Sequence, residues 1–149
     1  MSAMSDRAVS VTVNYALNLA VAAVVLAGVL TATAGVVVDH REGAGRSELR
    51  VVGQRLAADI ETADRLANAG GETVVVTSPL PDRVAGVSYT VEVEGSTLVL
   101  DANFRDVSVE VPYRTNHTVA ATTVSGGELR VVLAPDADGD GQRNLEVRR

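Results

Sequence analysis

Residues 15–38 read YALNLAVAAVVLAGVLTATAGVVV, and the uncharged stretch around them extends from Ala8 to Val38. As a helix, the 24 residues from Tyr15 to Val38 would be about 36 Å long, against about 30 Å of bilayer hydrocarbon. Four leucines (17, 19, 26, 30) and seven valines (21, 24, 25, 29, 36, 37, 38) favour insertion by about 3 to 7 kcal/mol, which offsets Asn18 and the two threonines. Two other readings compete with a membrane span. A buried core helix would need more protein around an all-apolar cylinder than this chain supplies. A removed signal peptide would use Ala32-Thr33-Ala34 as its cleavage site, but Asp6 and Arg7 cancel before the apolar run, and that run continues past the cut. Gly28 and Gly35, with Ala27, Ala32 and Ala34, would let helices approach closely.

Outward from this stretch, the rest of the chain reads as a domain outside the bilayer. After the polar junction Asp39-His40-Arg41-Glu42-Gly43, residues Leu49, Val52, Leu56, Ile60, Ala63 and Ala67 recur at helical spacing. Arg50, Gln54, Arg55, Asp59, Glu61 and Asp64 occupy the other side. Ser47 is placed to cap this helix and Gly70-Gly71 to end it. Strands follow. Thr73–Thr77 is a short apolar run closed by Pro79 and Pro81. Val87, Tyr89, Val91 and Val93 alternate with polar residues, Gly95-Ser96 turns the chain, and Leu98 and Leu100 continue the pattern. Val107, Val109, Val111 and Tyr113 alternate again, and a last hairpin is expected between 119–124 and 129–133 around Ser125-Gly126-Gly127. The expected fold is α+β: a long hydrophobic helix continuing into an amphipathic one, packed on a small antiparallel β domain. Its expected parts are a leader (1–8), a transmembrane helix (9–38), an amphipathic helix (39–69), the β domain (73–134) and a polar tail (135–149), acidic then basic.

Composition narrows the function. The 149 residues carry a net charge of -6, and all 13 basic residues are arginine. With aromatic residues at 3% and no basic stripe, the footprint of a nucleic-acid binder is missing. An acidic, lysine-free chain rich in Ala, Val and Gly points to a halophile, where concentrated salt screens repulsion between carboxylates. There is no cysteine, which excludes disulfides, thiolate metal sites and cysteine nucleophiles.

Asp6-Arg7-Ala8-Val9-Ser10 precedes the uncharged run directly. With this leader, Asn14-Tyr15-Ala16-Leu17 and the stretch Glu48–Asp59, the sequence resembles the type IV pilin-like proteins of haloarchaea, and among them a small pilin-like family of uncharacterised function. The resemblance implies that a prepilin peptidase recognises Arg7 and cuts between Ala8 and Val9 on the cytoplasmic side. It also implies other pilin-like subunits as partners. Val11 stands where many haloarchaeal pilins carry proline, and Val13 where bacterial pilins carry glutamate, so a minor pilin or pseudopilin-like subunit is expected. The topology that follows is N-terminus cytoplasmic and domain extracellular, although Arg41, Arg46 and Arg50 after the span outnumber Arg7 before it.

Two further motifs could carry chemistry. Asn116-His117-Thr118 is an N-x-[ST] sequon between two expected strands, a candidate glycosylation site at Asn116 with Thr118. Asp136, Asp138 and Asp140, with Gly141, match the first half of a calcium loop, and Gln142 with its carbonyl and Asn144 at the ninth position could add ligands, but Val147 occupies the position of its bidentate acid. The alternative there is a solvated acidic tail, with no cofactor. His40 and His117 have no metal partner at helical spacing. Nothing marks a serine nucleophile, a phosphate loop or a small-molecule substrate site, and Glu92 with Glu94 reads as a solvated face. The expectation is a non-enzymatic pilin-like subunit. The alternative is a monomeric single-pass anchored protein whose extracellular domain binds a partner.

Overall fold

The computed structural model describes the backbone of residues 2–103, 107–135 and 143–149, and within the long helix the side chains of residues 12–33 and 42–68. It is α+β and divides into two compact units, Met1–His40 and Arg41–Arg149. In the first unit all the described residues are helical.

Helix α1 is Ser2–Asn68. It is not interrupted at the polar junction, and Ser47 lies inside it rather than capping a second helix. Polar side chains and single glycines weaken a helix without stopping it, and the chain meets no proline before Pro79. The expected stop is where α1 ends. Gly70 has a φ of 92°. The Gly70 N–H donates to Ala67 O at 3.1 Å and the Gly71 N–H to Leu66 O at 3.2 Å, the paired bonds of a Schellman cap. In the second unit Leu49, Val52, Leu56, Ile60 and Ala63 are buried, as their spacing predicts, and Ala67 is partly buried. Each large aliphatic side chain buried there contributes about 1.5–3 kcal/mol.

Among the described residues seven strands follow: β1 (Val75–Pro79), β2 (Tyr89–Glu94), β3 (Thr97–Ala102), β4 (Val107–Pro112), β5 (Thr122–Ser125), β6 (Glu128–Leu133) and β7 (Leu145–Arg148). They form two antiparallel sheets, ordered β4-β3-β2-β5 and β1-β6-β7. In the first, Val91 faces Leu100 and Leu100 faces Val109, and the next row is Val93, Leu98 and Val111. All six are buried, so alternation in sequence becomes one continuous apolar face. Gly95, at a φ of 55°, opens the two-residue β2–β3 turn, and the Tyr113 hydroxyl donates to its carbonyl at 2.6 Å. Helix α1 packs tightly on this sheet at Gly53, where a Cβ would lie 2.7 Å from Val111 Cγ2 and 2.8 Å from Leu100 Cδ1.

Three further expectations are corrected. The segments around Ser125-Gly126-Gly127 do not form a hairpin: β5 pairs with β2, whereas β6 pairs with β1 and β7. The Gly126 N–H donates to Tyr89 O at 2.9 Å, and a Cβ on Gly126 would lie 2.4 Å from the Tyr89 ring. Gly127 has a φ of 118°, so these glycines carry the chain from one sheet to the other. Nor is the tail polar throughout. Leu145 and Val147 are buried opposite Leu133 and Val131, and β7 completes the second sheet. Pro79 does not end β1 early, because β1 lies at a sheet edge, where a missing N–H is tolerated.

Candidate functional site

Two features stand apart from the packed core. The first lies in unit one. Residues Thr12–Thr33 have a mean hydropathy of 2.1 and none of that stretch is buried. Leu17, Leu19, Leu26 and Leu30 are each more than half exposed, as are Val21, Val24, Val25 and Val29. One helix long and apolar enough to cross a membrane is therefore present among the described residues, within the expected span 9–38. By length and composition such a helix also fits a signal sequence. The Thr31 and Thr33 hydroxyls donate back to Ala27 O at 2.9 Å and Val29 O at 2.7 Å, which satisfies them within the helix. Arg7, Ala8 and Val9, the expected processing positions, lie within the backbone span of α1.

The second feature is in unit two, where α1 holds the loop after β4. Asp64 is buried, not on the solvated face that its spacing suggested. Its Oδ2 accepts the Asn116 N–H at 3.0 Å and its Oδ1 the His117 N–H at 2.9 Å. His117 Nδ1 lies 2.8 Å from Asp64 Oδ1, and since an ionised carboxylate only accepts, that nitrogen carries the proton. Asn68 Nδ2 donates to Asp64 Oδ2 at 3.0 Å. One turn earlier, Glu61 Oε1 accepts the Arg114 N–H at 3.2 Å. Burial pushes the Asp64 carboxyl up, but the two backbone N–H groups and the His117 imidazole outweigh it, and the net pKa falls below the usual carboxylate value. Burial likewise pushes the Tyr89 and Tyr113 phenols up.

The clamp presents the sequon. Asn116 and Thr118 are exposed while the backbone beneath them is fixed. The loop borders an open groove of about 790 Å³ lined by Glu61, Ser96, Tyr113 and Arg114 among others. Asp64 and His117 form the orienting half of an acid–base pair, but among the described residues no hydrogen bond joins His117 Nε2 to a hydroxyl. The chemistry this arrangement supports is positioning of a loop.

The calcium reading at Asp136, Asp138 and Asp140 lies outside the described residues, and Asn144 directly precedes β7. Among the described residues, no group of three or more His, Asp or Glu is placed to hold a metal ion. Glu94 is exposed and Glu92 half-buried.

A family of unknown function, DUF7266, matches residues 4–147. No curated protein and no solved structure matches the chain.

Proposed function

The chain belongs to the DUF7266 family, and we propose that it is a non-enzymatic pilin-like subunit of a type IV pilus-like surface or secretion assembly. The observation that carries this reading is the apolar surface of α1. From Thr12 to Thr33 the helix is uncovered all round, whereas further along, from Leu49 to Ala63, α1 buries its apolar stripe in the domain. A monomeric protein in water does not leave so large an apolar surface bare. Lipid covers it before assembly, and the helices of other subunits cover it afterwards.

The leader Asp6-Arg7-Ala8-Val9 and its resemblance to pilin-like precursors supply the direction. Cleavage before Val9 by a prepilin peptidase on the cytoplasmic side leaves the anchor in place, with the domain of residues 41–149 outside the cell. There the clamped loop displays Asn116 as a glycan acceptor, and the domain surface sets what the assembly touches.

Shearing intact cells tests the reading. The chain is expected in the alkali-resistant membrane pellet and, after shearing, in the released filament fraction. A chain confined to the membrane pellet would contradict the filament and favour a plain anchor. A chain free in the medium without shearing would contradict both.

A further inference from the structure

The sequon shows its side chains to solvent while its backbone is held from both sides. Asn116 and Thr118 are exposed. Beneath them, four main-chain groups are committed. The Asn116 N–H donates to Asp64 Oδ2 at 3.0 Å and the His117 N–H to Asp64 Oδ1 at 2.9 Å. The His117 carbonyl accepts the Thr115 hydroxyl at 2.8 Å, and the Thr118 carbonyl accepts the Leu145 N–H at 2.9 Å. Leu145 O in turn accepts the Ala120 N–H at 2.8 Å, and Val119 bridges to Leu145 in parallel. Asp64 is only 5% exposed, so lifting the loop strands a buried carboxylate without its donors. One part of this lock is on α1 and the other on β7, and β7 follows the sequon in the chain.

An enzyme that reads Asn-x-Ser/Thr must hold the carboxamide and the hydroxyl two residues on at the same time, with the backbone between them in its own cleft. In the folded domain that backbone already lies against Asp64 and β7. We propose that sugar is transferred to Asn116 before the lock closes, and that the folded domain displays a glycan already attached but no longer receives one. This order rests on Asn116 being the acceptor, as proposed above. In the transfer, Asn116 Nδ2 bonds to the anomeric carbon of a phosphate-activated sugar. The bond from that carbon to the phosphate oxygen breaks, the phosphate-bearing carrier leaves, and Nδ2 gives up one proton. Closure of Asp64 and Leu145 on the loop then ends the interval in which the site is open.

A chase in cells tests the order. Full-length chain is made while the sugar donor is withheld, so that it folds without a glycan. Donor is then restored with new synthesis blocked, and occupancy of Asn116 is followed by mass spectrometry. The pre-made wild-type chain is expected to stay unmodified, whereas chain synthesised with donor present is modified. Pre-made Asp64→Asn should gain sugar about tenfold faster than wild type, because transfer follows the population of the open loop. Gly126→Ala, which strains the domain at Tyr89 and not in this loop, should stay close to wild type and separates the clamp from a general loss of stability. The wild-type comparison needs no variant to fold. Pre-made wild-type chain modified as readily as newly made chain would overturn the order, as would Asp64→Asn no faster than Gly126→Ala. If newly made wild-type chain carries no sugar at Asn116, the acceptor reading fails and the order with it; if it carries sugar and the pre-made chain gains it equally, only the order fails.

Discussion

Asp64 lies in the penultimate turn of α1, where helix carbonyls already present negative charge and a carboxylate is disfavoured. It is kept there by donors from far along the chain, the N–H groups of Asn116 and His117 and the imidazole of His117. Because folding lowers its pKa, its contribution is fully present above the unfolded value of about 3.9 and is lost as pH falls through the lower folded value. In Asp64→Asn, the amide NH2 would face a backbone N–H instead of accepting it. The variant is expected to lose about 1–3 kcal/mol at neutral pH, with the gap to wild type closing below about pH 4. Denaturation of the full chain in detergent across pH checks this, and a gap that does not change with pH would contradict it. Sequence spacing placed Asp64 on the polar face because a residue at the border of an apolar stripe fits either side. Its one advance signal was a carboxylate near the wrong end of a helix. Ser78 makes the opposite case. It is fully buried in β1 and its hydroxyl has no partner among the described residues, so Ser78→Ala should be neutral or stabilising by up to about 1 kcal/mol. A loss of melting temperature would show that the hydroxyl is satisfied in solution.

At the scale of elements, the readings that held were those in which alternation met burial on one face. Tyr89, Val91 and Val93 and the rows they form with Leu98, Leu100, Val109 and Val111 are where period two placed them. The stripe from Leu49 to Ala63 is likewise where helical spacing placed it. Pairing was less legible. Two apolar runs around a glycine pair read as a hairpin, but the choice of partner strand depends on contacts remote in sequence. Tyr89, 37 residues before Gly126, occupies the space a hairpin side chain would take. The Tyr89 ring is held through its hydroxyl to Pro81 O at 2.8 Å and cannot easily yield. Gly126→Ala should therefore cost about 1–3 kcal/mol by overpacking, and a thermal melt as stable as wild type would contradict the crossing between sheets. β7 was hidden by its brevity and by the charges at Glu146 and Arg148. Leu145→Ala removes a fully buried side chain opposite Leu133 and should cost about 2–5 kcal/mol; a loss under about 0.5 kcal/mol would mean that the second sheet stands without its last strand.

At the scale of the molecule, the chain joins two kinds of apolar surface that need different partners. One is closed within residues 41–149, where α1 and two sheets share a core. The other, from Thr12 to Thr33, is unburied among the described residues. The sequence made that helix plain through its length and its lack of charge. It cannot say what covers the helix, since lipid and neighbouring helices reward the same composition. The leader is the feature that separates an anchor from a filament subunit. N-terminal sequencing of the mature protein recovered from membranes is the most direct measurement. The account predicts a chain beginning at Val9, with the whole of Thr12–Thr33 retained. An intact leader would contradict the pilin-like subunit and leave a plain anchor, and a chain beginning at Gly35 would contradict the anchor itself.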